Sequence, residues 1–168
     1  PLLLVFFLGC SAGDSAMDEA LALRSRCLAG TVSFEAQIRA DYITNIESFS
    51  LECAFDEKGE MTFCVTEPDE ISGIRGTVAG TEGTVVFDGL VLGYPLLADG
   101  RLSPLAAPWV MHKALREGCI IAVGREGEKL HLTIDDSYAD NALTVELWLE
   151  EGQVEEAEIA WEDRRCVT

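Results

Sequence analysis

The sequence has few basic residues for its size. Its 168 residues contain 12 Lys and Arg against 30 Asp and Glu, which gives a formal net charge of -18 at pH 7. Proteins that bind nucleic acid electrostatically need Lys and Arg to displace the counterions of the phosphates. Docking on anionic lipid headgroups needs a basic patch in the same way. The composition therefore argues against both kinds of binding.

Histidine and the sequence motifs typical of catalytic and metal sites are also scarce. The chain has two histidines, His112 and His131, and it has no C-x-x-C pair. A Cys–His nucleophile pair, for example Cys119 with His112, is possible on composition, but no sequence signature supports it. The sequence predicts a protein that is not an enzyme and that has no cofactor and no metal. An enzyme with an unrecognised site is the remote alternative.

The apolar run at the N-terminus is too short to span a membrane. Residues 1–9 have no polar side chain, but a helix that crosses the hydrocarbon core needs about 20 residues. The run matches the end of the apolar region of a secretory signal. Because there is neither an initiator Met nor a basic leading segment, we expect the chain to be truncated at its start.

The residues that follow this run predict a lipid anchor. Phe7-Leu8-Gly9-Cys10 resembles the bacterial lipobox, in which the Cys thiol is joined to diacylglycerol and becomes the new N-terminus. A buried apolar strand that ends in a core Cys is the alternative. Two or more acyl chains anchor a protein stably to a membrane, whereas one binds only marginally. We therefore expect residues 1–10 to be the end of a lipoprotein signal with lipid attachment at Cys10.

Residues 11–168 are expected to form one domain, truncated within its last strand. Apolar and polar residues alternate over Val32–Tyr42, Leu130–Ile134 and Leu143–Leu149, which predicts half-buried antiparallel strands. Helices are predicted over residues 14–29 and, after a Ser-Pro start, over residues 104–117. Regularly spaced strands with short turns indicate a sandwich, a barrel or a strongly curved sheet.

This order of elements resembles the LolA-like superfamily of lipoprotein carriers and receptors. Several short stretches carry the resemblance: Gly59 to Pro68 with Asp69-Glu70-Ile71, Val85 to Leu90, and Gln153 to Trp161. Within the superfamily the chain is most similar to Gram-positive lipoproteins related to the germination lipoprotein GerS, through Ser103-Pro104-Leu105 to Gly118-Cys119-Ile120. The resemblance implies an α+β fold that is mainly β. In that fold, a strongly curved antiparallel sheet forms an open half-barrel with helices on its concave side.

The resemblance also implies where a ligand would lie. Carriers of the superfamily hold acyl chains against the apolar concave surface. The matching positions in this chain are Phe34, Ile38, Phe49, Leu51, Phe55, Phe63, Trp109 and Met111. The alternative is that these side chains simply fill the core between sheet and helices, because a pocket requires apolar surface that is left unfilled.

Two functions follow from the resemblance and the lipobox. The first is a lipid-anchored extracytoplasmic lipoprotein that binds lipid or lipoprotein acyl chains in a concave cavity. The second is a non-catalytic envelope adaptor that binds and regulates a cell-wall hydrolase, as the likeness to GerS implies. The expected partners are the bacterial cell membrane, through the anchor, and an acyl chain or an envelope protein.

The five cysteines beyond Cys10 leave one disulfide to consider. If Lys58-Gly59 is a two-residue hairpin loop, then Cys53 and Cys64 lie directly opposite each other, within reach of a disulfide. A change of one residue in the loop breaks this pairing. Buried free thiols are the alternative.

Overall fold

The structure, a computed structural model, describes residues 12–41, 46–98, 101–136, 143–161 and 164–168. The helices are α1 (Ala12–Leu28) and α2 (Ala107–Glu117), and a 3-10 turn at Pro104–Ala106 precedes α2. The strands are β1 (Val32–Asp41), β2 (Ile46–Phe55), β3 (Met61–Glu67), β4 (Arg75–Ala79), β5 (Glu82–Phe87), β6 (Leu90–Pro95), β7 (Leu97–Ala98), β8 (Arg101–Leu102), β9 (Cys119–Glu126), β10 (Lys129–Asp135), β11 (Leu143–Glu150), β12 (Gln153–Trp161) and β13 (Arg164–Val167). Cys10 lies outside the described residues, as does Tyr42 at the end of the first predicted strand.

Both predicted helices are present. Helix α1 buries a stripe of small and apolar side chains that recur every three or four residues, namely Ala16, Ala20, Leu23 and Cys27. Helix α2 follows the predicted Ser-Pro start and ends at Glu117, directly before Gly118. None of the described helices is both long enough and apolar enough to cross a membrane.

Eleven of the described strands form one antiparallel sheet, in the order β6-β5-β4-β3-β2-β1-β13-β12-β11-β10-β9. The remaining two, β7 and β8, form a small separate hairpin. Strand β13 lies in the middle of the large sheet, between β1 and β12, although it comes last in the chain. Among the described strands, β6 and β9 are the two edges and do not pair with each other, so the sheet is open.

The sheet curves around α2. Inner side chains from both halves of the sheet, such as Leu51 on β2 and Leu147 on β11, belong to one buried core. Helix α2 contacts both halves as well: His112 stacks on Phe55 of β2 with ring centroids 4.0 Å apart, and Lys113 binds Asp136 at the end of β10. The expected fold class, an α+β fold with helices on the concave side of a curved sheet, is confirmed.

The predicted disulfide is absent, and the cause is the turn between β2 and β3. Phe55 pairs with Met61, so the connection is longer than the two residues assumed. The Asp56 carboxylate stabilises this wider turn by accepting hydrogen bonds from the backbone N–H groups of Lys58 and Glu60, at 2.9 and 2.8 Å. The register therefore shifts by one residue. Cys53 lies opposite Phe63 and Cys64 lies opposite Glu52, and both thiols are free.

Candidate functional site

A cleft of about 620 Å³ lies between the two helices and the middle of the sheet. We call it cleft A. Its helical wall comes from the second half of α1 and one side of α2. Its sheet wall comes from β1, over Val32–Arg39, and from β12, over residues 153–157 and Ile159. Its volume falls in the range of about 300–1,000 Å³ that is usual for small-molecule sites.

Among the described residues, β13 pairs with only part of β1 and β12, and cleft A lies beside the remaining part. Val167 pairs with Ala40 on one side and with Ile159 on the other. Thr168 and Arg39 exchange two backbone hydrogen bonds, of 2.7 and 3.0 Å. Towards Val32 and Gln153, the two strands face each other across cleft A instead.

The apolar side chains of β1 and β12 are buried to different extents along the two strands. Beside β13, Ile38 and Ile159 are fully buried. Further along the same faces, Phe34, Ala36 and Ala157 are only half-buried and line cleft A. Among the described residues, the cleft therefore has apolar side chains that are only half-covered.

The eight residues expected to line a cavity lie in different parts of the structure. Phe34, Ile38 and Met111 line cleft A. Leu51, Phe55 and Phe63 are buried in the core, where Phe55 supports Phe34 with ring centroids 5.6 Å apart. Phe49 is half-buried against the core and lines neither described cleft, and Trp109 lies on the other side of α2.

A second cleft, of about 820 Å³, lies on that other side of α2, and we call it cleft B. Its lining is more charged and includes Glu60, Glu82, Lys113, Arg116 and Asp136. Trp109 lines cleft B, and its ring donates a hydrogen bond of 3.1 Å from Nε1 to the Gly59 carbonyl.

The ion pair in cleft B is partly buried. Lys113 Nζ lies 2.7 Å from Asp136 Oδ2, and Asp136 is 3% exposed. Burial raises the pKa of Asp136, and the hydrogen bond from Lys113 opposes that shift. Burying a carboxylate destabilises the fold unless a cation pairs with it. Lys113 therefore stabilises the buried Asp136. Asp136 is thus part of a structural ion pair.

His112 lines both clefts. Of the residues described as lining them, it is the one common to both. The side chain is 2% exposed, and neither ring nitrogen has a hydrogen-bond partner among the described residues. Burial, together with the positive charge of Arg116, lowers the pKa of His112 to about 4. The ring is therefore neutral at pH 7. The sequence offered His112 only as a possible partner of Cys119, and no such bond forms.

Two arginines hold the helices together beside cleft A. Arg24 of α1 donates from Nε to the Leu115 carbonyl and from Nη2 to the Gly118 carbonyl, both at 2.7 Å. Arg116 of α2 donates from Nη1 to the Cys27 carbonyl at 3.2 Å and from Nη2 to the Glu57 carbonyl at 3.1 Å. These contacts were not predicted, because an arginine near the end of a helix is usually just solvated.

The described part of the chain shows no arrangement typical of a metal site. Within it, no group of three or more His, Cys, Asp or Glu side chains is placed to hold a metal ion. The thiols of Cys27 and Cys53 are buried, and burial raises the pKa of both, that of Cys53 to about 12. A raised pKa keeps a thiol protonated and poorly nucleophilic.

Comparison with known proteins gives matches in structure but not in sequence. No protein-family model matches the chain, and no curated protein is significantly similar to it in sequence. A LolA superfamily protein from Nitrosomonas europaea has 13% identity and a TM-score of 0.48, covering 94% of this chain and 75% of that one.

Two further solved structures are similar to the same extent. A DUF1329 family protein from Desulfovibrio piger has 10% identity and a TM-score of 0.48, with 94% of this chain and 77% of that one covered. A domain assigned to outer membrane lipoprotein sorting, from Vibrio parahaemolyticus, has 8% identity and a TM-score of 0.47, with 91% of this chain and 75% of that one covered.

Proposed function

We propose that this protein is a lipid-anchored extracytoplasmic lipoprotein that holds an acyl chain in cleft A. The observation that carries the proposal is the apolar lining of the cleft, to which the half-buried Phe34, Ala36, Ala157 and Met111 contribute between helices and sheet. Soluble proteins leave contiguous apolar surface uncovered mainly where something binds. A cleft bounded by an apolar sheet face and an apolar helix suits a flexible hydrocarbon chain.

The energy of such binding is sufficient. Each methylene transferred from water to an apolar wall contributes about 0.8 kcal/mol, so ten buried methylenes contribute roughly 8 kcal/mol before the cost of association. Association costs at least about 4 kcal/mol, so a dissociation constant of about 1 μM, which needs about -8 kcal/mol net, requires about 15 buried methylenes. Longer or doubly acylated ligands offset the cost of association further.

Titration with a fluorescent fatty acid tests the proposal. We expect saturable binding by the folded domain and a loss of at least about tenfold in affinity in Phe34→Glu, because a carboxylate in the cleft wall costs more than 1.4 kcal/mol against an apolar chain. Val91→Glu is the matched control. It adds the same charge on β6, where Val91 is 67% exposed, and should bind like the parent. Absence of saturable binding in the parent protein would remove the acyl-chain function.

The anchor is proposed at Cys10 and places the protein at the outer face of the bacterial cell membrane. Expressed with a complete signal sequence, the protein should incorporate labelled fatty acid and partition into detergent. Cys10→Ala should abolish both properties, whereas Cys119→Ala, an exposed thiol within the described domain, should retain both. Equal labelling of the two variants would contradict the anchor.

One observation favours the second candidate, an adaptor that binds an envelope protein such as a cell-wall hydrolase. Strand β6 is an edge of the sheet, and the β5–β6 hairpin exposes Phe87, Leu90, Val91 and Leu92 at 56%, 65%, 67% and 60%. An exposed apolar edge strand can accept a strand or a side chain from a partner. If the titration shows no acyl binding, co-purification of an envelope protein that is lost in Leu90→Lys would support this candidate.

A further inference from the structure

Strand β6 lacks the features that usually protect the edge of a sheet. Exposed edge strands generally carry charged side chains or are covered by another element. Among the described strands, the opposite edge is β9, which is tied to α1 by the ion pair of Arg125 with Glu19. Between Gly83 and Tyr94, by contrast, the β5–β6 hairpin has one charged residue, Asp88, and it lies in the turn. The middle of β6 is therefore both uncharged and exposed.

The pairing within the hairpin determines which backbone groups of β6 face outwards. Phe87 pairs with Leu90 across a two-residue turn, and the pair that flanks such a turn exchanges backbone hydrogen bonds. Bonded and non-bonded pairs alternate in an antiparallel ladder, so the even-numbered residues bond to β5. The Leu96 N–H continues this alternation by bonding back across the hairpin at 3.3 Å. The N–H and C=O groups of Val91 and Gly93 therefore point away from the sheet.

The spacing of these groups matches a second copy of the same strand. If Leu92 of one copy lies opposite Leu92 of the other in the antiparallel direction, Val91 of each copy exchanges hydrogen bonds with Gly93 of the other. Every outward-facing group of the two residues is then satisfied. On one face of the sheet, Leu90 lies opposite Tyr94 of the second copy. On the other face, the Val91 side chain lies over Gly93, where a Cβ would meet nothing closer than 4.0 Å.

Pairing of this kind covers apolar side chains on both faces of the hairpin. Phe87, Leu90 and Leu92 share one face, and Val86 and Val91 share the other. These five side chains are 41–67% exposed. They leave roughly 450 Å² of apolar surface per copy, which is within the range of the largest patch on a typical monomer. With the main chain included, two copies bury about 1,000 Å², the area that a specific interface needs. A ligand lying on one face would cover only one of the two sets.

The distribution of charge is also compatible with a second copy here. The formal net charge is -18, so two copies repel each other wherever their acidic residues meet. The edge of β6 avoids this repulsion, since Asp88 of one copy lies at the opposite end of the ladder from Asp88 of the other. A basic partner, which the net charge would favour elsewhere on the surface, finds no carboxylate along Leu90–Tyr94 to pair with.

We propose that β6 pairs with β6 of a second copy, centred on Leu92, and so joins two molecules into a dimer with one continuous sheet. The two-fold symmetry makes the interface self-complementary, so assembly closes at two copies and does not continue into a fibre. The proposal goes beyond the acyl-chain function and does not depend on it, because the described lining of cleft A includes no residue of β6.

Analytical ultracentrifugation of the protein expressed from Ser11 onwards tests the dimer. This start removes the apolar run 1–9 and any acylation, both of which cause self-association on their own. We expect a monomer–dimer equilibrium that reaches the mass of two chains by about 100 μM, as suits an interface near the lower size limit. Leu92→Lys places two like charges directly opposite each other and should raise the dissociation constant at least about tenfold. Ile121→Lys is the matched control on β9, because Ile121 and Leu92 are both 60% exposed, and it should dimerise like the parent.

Disulfide cross-linking tests the register. Leu92→Cys places two thiols in a non-hydrogen-bonded pair with Cα atoms about 4.5 Å apart, within disulfide range. Val91→Cys places them diagonally, about 7–8 Å apart, which is too far. Both variants are made together with Cys119→Ala, which removes an exposed thiol. We expect mild oxidation to link the copies of Leu92→Cys and to leave those of Val91→Cys unlinked.

Several outcomes would overturn the proposal. A parent protein that stays monomeric at every concentration leaves the edge of β6 to the envelope protein of the second candidate function. A dimer that survives Leu92→Lys must use another surface, and one that is lost in Ile121→Lys must use β9. Equal cross-linking of Leu92→Cys and Val91→Cys contradicts the register and with it the pairing. Circular dichroism confirms that the lysine variants are folded, and the cysteine variants test the same interface without adding a charge.

Discussion

Protonation of His112 should destabilise the fold in mildly acidic solution. Its pKa in the folded protein is about 4, below the usual value of about 6.5 for histidine, so between these values the unfolded chain binds more protons. The stability that the neutral ring provides is fully present above pH 6.5, and it decreases as the pH falls through that window towards 4. At pH 5 the loss is about 2 kcal/mol, at 1.36 kcal/mol for each pH unit below the unfolded pKa.

Urea unfolding of the parent protein and of His112→Phe between pH 7 and pH 4.5 measures this effect. The difference in free energy of unfolding between the two proteins should change by about 2 kcal/mol in favour of the Phe variant as the pH falls to 5. Asp136, whose pKa is raised, titrates in both proteins, so its contribution cancels in the difference. A pH-independent difference would mean that His112 is protonated at the same pH in the folded and unfolded chains.

At this same scale, the sequence predicts which side of a strand a residue faces but not how well it is covered. Alternation in β1 correctly places Phe34 and Ile38 on one face, and alternation alone treats them alike. Their burial differs among the described residues, where β13 lies next to the Ile38 end of β1. That neighbour is more than a hundred residues away in the chain. No local pattern in β1 contains this information, so the lining of cleft A could be predicted only in part.

Hairpin β5–β6 should depend on the backbone conformation of Gly89. Asp88 and Gly89 form its turn with φ angles of 48° and 78°, a left-handed conformation that suits the Asp-Gly pair. A Cβ at Gly89 would meet no atom within 4 Å, so Gly89→Ala should cost only the conformational strain, about 1–2 kcal/mol.

Gly124 in β9 provides the matched control, since a Cβ there would also meet nothing within 4 Å and its φ is not positive. Gly124→Ala should leave stability unchanged or raise it slightly, because Gly in a strand carries extra unfolded-state entropy. Thermal unfolding of the two variants measures the difference. Equal melting temperatures would show that the turn does not hold Gly89 in the left-handed region.

The contact between the helices should depend on Arg24. Its guanidinium satisfies two carbonyls at the C-terminal end of α2, Leu115 and Gly118, where a positive charge is favoured by the helix dipole. Arg24→Met keeps the apolar part of the side chain and removes both bonds, at an expected cost of about 2 kcal/mol in unfolding free energy.

Arg75→Met is the control for the loss of one positive charge, because Arg75 is exposed on β4. It should change stability by less than about 0.5 kcal/mol. Chemical denaturation of both variants provides the comparison, with circular dichroism to confirm the fold. If Arg24→Met costs no more than Arg75→Met, then the two carbonyls are satisfied equally well by water.

Elements with a strong local signal could be predicted, whereas their exact pairing could not. Five apolar–polar alternations in β1 and a Ser-Pro start before α2 are sufficient to predict a strand and a helix from neighbouring residues alone. The β2–β3 register depends instead on whether the Asp56 carboxylate bonds the backbone of Lys58 and Glu60. That side chain lengthens the turn and separates Cys53 from Cys64, and its conformation cannot be derived from hydrophobic alternation.

For the whole molecule, the dominant electrostatic feature is the excess of negative charge. The chain carries a formal charge of -18 on 168 residues, and the compact state brings these charges closer together than the unfolded chain does. Ion pairs such as Arg125–Glu19 and Arg165–Glu158 are at the surface and contribute little each. Self-repulsion should therefore reduce the stability of the folded state at low ionic strength.

Salt should raise the melting temperature of the anchor-free domain. The Debye length falls from about 30 Å at 0.01 M salt to about 8 Å at 0.15 M, so repulsion across the molecule is screened within this range. We expect most of the increase in melting temperature to occur below 0.15 M NaCl, where screening changes and preferential exclusion of salt from the surface is still small. Sucrose at matched osmolality is the control and should produce little change over the same range. A melting temperature that rises only at molar salt would show that screening is unimportant and that the acidic residues are spaced widely enough not to destabilise the fold.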